Sequence, residues 1–166
     1  MINDWDTLFM NMVYLIAMKS KDPRTHLGAV IVGSNNEVVS LGYNGLPRGL
    51  SYSKEKRLEP PEKYYYFEHA ERNAIYNAIL IGVSLKGCRM YTNGTPCTDC
   101  ARAIIQSGIK EVIVDEVWDK NNKDKWLEHS IKSKEMFKEV GIKLRTINTE
   151  LVDINKYRRG KLINIH

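Results

Sequence analysis

Apolar residues recur near the helical period over residues 3–20, through Trp5, Leu8, Phe9, Met12, Val13, Leu15, Ile16 and Met18. That spacing predicts a helix, closed off before Pro23. The pattern then changes. Residues 28–33 (GAVIVG) form a short β-branched run and residues 38–41 a second, with Ser34, Asn35 and Asn36 between them. Two strands joined by such a turn predict a hairpin. Helical periodicity returns over residues 70–81, stopped by Gly82, over 101–107 with Gly108 in the C′ position, and over 123–140 with Gly141 at its end. Between these segments lie short strand patterns at 90–92, 111–115 and 142–147.

A helix, a hairpin and three strands alternating with helices predict a mixed sheet covered on both faces. Residues 46–63 interrupt the alternation. They carry Pro47, Gly49, Pro60 and Pro61 among Arg48, Lys54, Lys56, Arg57 and Lys63, with Glu55, Glu59 and Glu62 interleaved. A loop of that length suits a functional role, and its cations suit a phosphate or a triphosphate; a solvated charge run fits the pattern equally well.

The chain has 166 residues, 43% of them hydrophobic, which suits one domain with a sizeable core. No repeat or low-complexity segment is present. No apolar run reaches the length of a membrane span, and the acidic start, Asp4 and Asp6, is unlike a secretory signal. A soluble cytoplasmic protein is the expectation. The formal charge of +5 is modest and includes a basic tail at about 147–166 with Lys156, Arg158, Arg159 and Lys161. Such a tail is ordinary soluble surface, and no nucleic-acid partner is expected from it.

Composition alone excludes little more; the cysteines add chemistry. Two of the three, Cys97 and Cys100, stand in C-x-x-C spacing, which in a chain without an export signal argues for metal or redox chemistry. The spacing alone is weak. It gains weight from Pro96 and from His69-Ala70-Glu71 upstream, because both segments open predicted helices. A helix N-terminus lowers a thiol's pKa, and residues at i and i+3 can reach one ion. One imidazole and two thiolates leave a fourth zinc position open, the arrangement of a catalytic rather than a structural site. Those ligands cancel the charge of the ion, so a carboxylate beside it is useful for taking up a proton. Glu71, two residues from His69, faces away from the ligand position and suits that task. Cys88 reads as a buried small hydrophobe, and His26, His129 and His166 as ordinary surface or core histidines.

H-x-E followed by P-C-x-x-C is the pattern of zinc nucleobase deaminases. With "SKDPRTHLGAVIV", "LGYNGLPRG", "HAERNAI" and "PCTDCARAIIQSGIKEVIV", the chain resembles the deoxycytidylate (dCMP) deaminases of the cytidine deaminase superfamily over roughly residues 5–115. The resemblance implies a three-layer α/β/α fold of the α/β class with a five-stranded mixed sheet. It implies zinc-dependent hydrolysis of dCMP to dUMP and ammonia, supplying dUMP for dTMP synthesis. Carried over by position, His69, Cys97 and Cys100 hold the zinc, and Glu71 shuttles protons to N3 and to the departing amine. The Thr95 carbonyl accepts from the exocyclic amine and the Ala70 N–H holds the ring carbonyl.

By the same resemblance Asn44 lies near the substrate sugar or a regulatory nucleotide, within an effector segment of Gly42, Tyr43, Asn44, Gly45 and Arg48; a plain Asn-Gly turn explains the same residues. Trp118 is a candidate pocket wall or a core residue. The resemblance further implies a homohexamer activated by dCTP and inhibited by dTTP, with Mg²⁺ on the triphosphate. Residues 46–68 lack the Cys and His with which one branch of the family holds a second zinc, so one zinc per chain is expected. A tRNA adenosine deaminase, another nucleobase deaminase acting on single strands, and a non-catalytic zinc-stabilised binding module remain open alternatives.

Overall fold

The computed structural model describes residues 2, 4–121, 126–150, 156–158 and 160–163. Helix α1 (Trp5–Ala17) is capped by Asp4, whose side chain accepts from the Thr7 N–H. The hairpin follows as β1 (Gly28–Val32) and β2 (Val38–Tyr43). The long loop then contains a 3₁₀ turn (Glu55–Leu58) and a single helical turn, α2 (Lys63–Tyr66). Next come α3 (Ala70–Leu80), β3 (Arg89–Thr92), α4 (Thr98–Gln106), β4 (Glu111–Asp115), α5 (Glu116–Asn121), α6 (Leu127–Val140) and β5 (Lys143–Ile147).

The five strands form one mixed sheet in the order β2-β1-β3-β4-β5, antiparallel through β1 and parallel from β3 to β5. The predicted α/β class, five-stranded sheet and helix–strand alternation are therefore present. Strand parity builds the layers. Ala29 and Ile31 pack with Ala70, Ala74, Ala78, Ala101, Ile104 and Phe137 from α3, α4 and α6. Val30 and Val32 point the other way, into Phe9, Met10, Val13 and Tyr14 of α1 with Trp118 of α5. All five residues of β1 are buried, as a strand covered on both faces must be.

Small residues let the layers close. A Cβ at Gly28 would fall 2.1 Å from the Val13 carbonyl oxygen of α1. A Cβ at Gly42 would fall 2.4 Å from the Ala74 nitrogen and 2.6 Å from the Ala70 oxygen of α3. The Ser40 hydroxyl also donates to the Ala74 carbonyl at 2.7 Å. Helix α3 thus lies directly on the backbone of β2.

The structure differs from the sequence expectation at several ends. Helix α1 stops at Ala17 rather than near residue 20, and α4 begins at Thr98 rather than 101. Helix α5 was not expected. It follows β4 without a breaker, and the Asp115 carboxylate accepts from the Val117 N–H at 2.8 Å to start it. The start of the helix expected at 123–140 falls partly on residues 122–125, outside the described residues; α6 itself begins at Leu127 and ends at Gly141, in the left-handed region. In the basic tail, β6 (Lys156–Arg158) and β7 (Lys161–Ile163) pair as an antiparallel ribbon, while Arg159 and His166 lie outside the described residues. Among the described residues no helix is long and apolar enough to cross a membrane.

Candidate metal centre

His69 is the N-cap of α3 and Cys97 the N-cap of α4, both in extended backbone conformation. Neither side chain caps its own helix; both turn toward each other. Parallel pairing of β3 with β4 and the packing of α3 beside α4 bring the two helix starts together at one end of the sheet. The His69 Nδ1 lies 3.4 Å from Cys97 Sγ and 3.6 Å from Cys100 Sγ. All three donor atoms fall within 4.8 Å of one another. Zinc bonds of about 2.3 Å to sulfur and 2.0–2.1 Å to nitrogen at the tetrahedral angle give an N···S edge of about 3.6 Å. The three side chains therefore fit a tetrahedral zinc, with one corner for a molecule from outside the chain.

The electrostatics agree. The Cys97 thiol is lowered to about 3, first by a hydrogen bond from Cys100 and then, against burial, by His69. Cys100, the donor, moves up because of that same bond and its burial. A cation bound by both sulfurs takes them as thiolates, so binding there is coupled to release of thiol protons. Burial tends to lower His69, but the hydrogen bond with Cys97 and the charge of Glu71 outweigh it and raise it.

Glu71, in the first turn of α3, is 6% exposed. Its Oε2 has no hydrogen-bond partner, an unusual state for a buried carboxylate oxygen. Burial pushes its pKa up from the ordinary carboxylate value, so its neutral form is favoured more than that of a solvated glutamate. A carboxylate with one oxygen lacking a hydrogen-bond partner, beside a three-donor metal cradle, is suited to hydrolytic chemistry on a bound molecule.

The other expected residues are distributed as follows. Ala70 is the first residue of α3, where a helix leaves its N–H unpaired. Thr95 precedes Pro96 in the β3–α4 loop and is 7% exposed. An antiparallel bridge joins Gly45 to Glu68, so the Gly42–Gly45 segment runs next to His69. Asn44 is 5% exposed. Its Oδ1 accepts from the Leu27 N–H at 2.8 Å, and its Nδ2 donates to the Thr25 carbonyl at 2.8 Å and to Asp22 at 3.2 Å. That amide is engaged in holding the loop between α1 and β1. Tyr43 accepts through its carbonyl from Asn73, Gly42 is covered by the α3 backbone, and Arg48 bonds to Asn77 on α3. Trp118 is 8% exposed and belongs to the α1-side core. Of the loop cations, Lys63 is buried against Asp22 at 2.6 Å, and Arg57 stacks on Tyr66.

Four residues at the site carry no local sequence signal. Arg72 bonds Glu68 at 2.8 and 3.1 Å and reaches Asp99 at 3.6 Å, tying the start of α3 to the start of α4. The Trp126 ring meets His69 edge-on at 5.8 Å and Tyr64 at 6.5 Å. His129, read from its spacing as ordinary, lies 2.9 Å from the Thr98 hydroxyl, next to Cys97. Asp119 accepts from the Thr95 N–H at 2.8 Å. Trp126, His129 and Asp119 come from elements distant in sequence, so only the fold brings them to the site; Arg72 lies in α3 itself, and only its reach to Asp99 is non-local.

A family model described as the cytidine and deoxycytidylate deaminase zinc-binding region matches residues 3–116. The chain belongs to the cytidine and deoxycytidylate deaminase family. Within that family, human deoxycytidylate deaminase is 45% identical over 117 residues, covering 66% of this chain and 64% of the human protein. The chain therefore spans less than two thirds of that relative. An Aliivibrio fischeri protein, described as an uncharacterized deaminase in the luxG 3' region, is 36% identical over 152 residues, covering 92% of this chain and 99% of its own length. Among solved structures, dCMP deaminase from the cyanophage S-TIM5, in complex with dCMP and dUMP, superposes with a TM-score of 0.69 at 23% identity, covering 89% of this chain and 99% of that one. That likeness establishes the three-layer fold.

Proposed function

We propose that this chain hydrolyses dCMP to dUMP and ammonia in the cytoplasm, with one zinc held by His69, Cys97 and Cys100. The observation that carries the reading is the set of three donors at tetrahedral edge distances with the partnerless Oε2 of Glu71 beside them. The substrate follows from kinship: the human relative is a deoxycytidylate deaminase, at 45% identity. Zinc bound there supplies Lewis acidity that lets a water lose a proton near neutral pH.

The protein groups do the rest. Glu71 takes up that proton at its carboxylate and passes it to N3 of the cytosine ring. The same carboxylate then takes the second proton from the hydroxyl added at C4 and gives it to the leaving amine as C4=O forms and the C4–N bond breaks, so one water is consumed and one ammonia released. The Ala70 N–H, at the positive end of α3, holds the ring carbonyl oxygen. The Thr95 carbonyl accepts from the exocyclic amine and so distinguishes substrate from product. Trp126 forms an aromatic wall beside His69.

By kinship we extend the proposal to a homohexamer, to activation by dCTP and inhibition by dTTP with Mg²⁺ on the triphosphate, and to a single catalytic domain. The zinc-loaded protein is to be assayed with dCMP, deoxycytidine, dCTP and a tRNA adenosine-loop substrate, following absorbance and ammonia. Turnover of dCMP well above the other three is the expected result. Preference for the tRNA substrate, or none for dCMP over deoxycytidine, contradicts it. Repeating the dCMP assay with dCTP or dTTP tests regulation.

A further inference from the structure

The β3–α4 loop leads from the sheet to the first cysteine ligand, and it is braced from two sides. On one side Asn93 accepts from the Gly28 N–H of β1 through its Oδ1 at 2.8 Å. On the other stands α5. Gly94 has no room for a side chain, since a Cβ there would lie 2.7 Å from Cδ1 of Trp118. The next residue, Thr95, donates its N–H to Asp119 Oδ1 at 2.8 Å. Pro96 follows and has no N–H to give. The Thr95 N–H is thus the last backbone donor before Cys97, and Asp119 holds it.

Asp119 is itself fixed: its Oδ2 accepts from Lys134 of α6 at 3.2 Å, and its side chain is 13% exposed. Three separate elements, α5, α6 and the loop, therefore meet at one carboxylate.

We infer that Asp119 is a positioning residue which, by gripping the Thr95 N–H, aims the Thr95 carbonyl at the amine of the substrate. This rests on the proposed deamination. The N–H and the carbonyl of Thr95 flank one α-carbon, and the Pro96 ring restricts the far side of the residue. With the N–H anchored, the carbonyl direction is set before substrate arrives. Released, the Thr95 backbone can rotate and the acceptor becomes diffuse. A bond from backbone N–H to a carboxylate is among the stronger hydrogen bonds. Lys134 has a smaller part: it orients Asp119 but touches neither Thr95 nor the site.

The inference separates substrate from product. dCMP offers an amine at C4 and gains from an aimed carbonyl; dUMP offers an oxygen there and does not. The experiment compares zinc-loaded wild type, Asp119→Ala, Asp119→Asn and Lys134→Ala in kcat/KM for dCMP, inhibition constant for dUMP, and bound zinc. Asp119→Ala is expected to lower kcat/KM about 10–100-fold, mainly through KM, from loss of one charge-assisted bond. Its dUMP inhibition constant should stay within about 2-fold of wild type, and zinc should remain at one per chain. Asp119→Asn keeps an acceptor and should recover most of the loss, and Lys134→Ala, which frees Oδ2 but leaves Oδ1 on Thr95, should fall between wild type and Asp119→Ala.

Equal weakening of dCMP and dUMP, unchanged kcat/KM, or no recovery by Asp119→Asn overturns the inference. Should Asp119→Ala fail to fold, Asp119→Glu decides. It keeps the charge but displaces the acceptor by a methylene, so the same selective loss for dCMP is expected and wild-type kcat/KM overturns the inference. A zinc-loaded wild type inactive on dCMP overturns the proposed activity, and this inference with it.

Discussion

Replacing Gly42 by alanine tests whether the sheet fixes the metal site. Gly42 does not adopt a positive φ, so backbone strain is not at issue. Gly→Ala at such a position ordinarily stabilises by about 0.4–1 kcal/mol, by restricting the unfolded chain. Here sterics oppose it. The new methyl carbon would stand 2.4 Å from Ala74 N, 2.6 Å from Ala70 O and 2.8 Å from Asn73 C, against ordinary contacts of 3.4–4 Å. All three are backbone atoms, and no rotamer change relieves them. Helix α3 must retreat by roughly 1 Å, at the 1–3 kcal/mol typical of overpacking, which exceeds the entropic gain.

The retreat carries His69 and Glu71 with it, while zinc ligands tolerate displacements of only about 0.2 Å. Net of the entropic gain about 1–2 kcal/mol is lost, so Gly42→Ala is expected to lower Tm by about 2–8 °C at about 2–4 °C per kcal/mol for a chain of this size. It should also weaken zinc binding in competition with a chromophoric chelator, widening the stability difference in the zinc-loaded state. A variant that melts at or above the wild-type temperature with unchanged zinc affinity would refute the reasoning.

Three more perturbations follow from the same geometry. Arg145 bonds Asp6 at 2.6 and 3.1 Å and holds its carboxyl below the ordinary value of 3.8, with Tyr91 assisting against partial burial. A depressed folded-state pKa adds stability that is present above about 3.8 and lost as pH falls through the folded value. Asp6→Asn should therefore flatten the acid limb of a denaturation-versus-pH curve below about pH 4 and leave the neutral region parallel to wild type; an unchanged acid limb contradicts this. Arg72→Met should weaken zinc binding while largely sparing the fold, because the guanidinium links the segments flanking both ligand groups; equal zinc affinity in the two proteins would count against it. Chelating the zinc should abolish turnover reversibly and lower Tm, since a ligand at 100 times its dissociation constant contributes about 2.7 kcal/mol; full activity after verified metal removal is the contrary result.

Much of this architecture was legible in the chain because the relevant signals are local. The β-branched runs GAVIV and EVIVD became β1 and β4, and the helices at α3, α4 and α6 ended at the glycines that mark them. The three-donor cluster of His69, Cys97 and Cys100 was legible because two short motifs each sit at a helix start. What stayed hidden is non-local. Helix α5 lacked a breaker and is started by Asp115. His129 looks unremarkable in sequence, yet α6 sets it against Thr98, 31 positions away. Asp119 and Thr95 meet only because α5 folds back on the loop after β3, across 24 positions. Asn44 shows the converse: Asn-Gly reads as a turn or a ligand contact, and its amide bonds to Leu27, Thr25 and Asp22.

The central claim is that a metal cradle and one buried carboxylate perform distinct tasks. Zinc content and dCMP turnover measured together on wild type and Glu71→Gln test it most directly. The account predicts one zinc per chain in both proteins and a loss of kcat of at least about 10²–10⁴-fold in the variant, the usual share of a general acid–base group. Glu71→Gln that keeps its zinc and deaminates dCMP at the wild-type rate would contradict it.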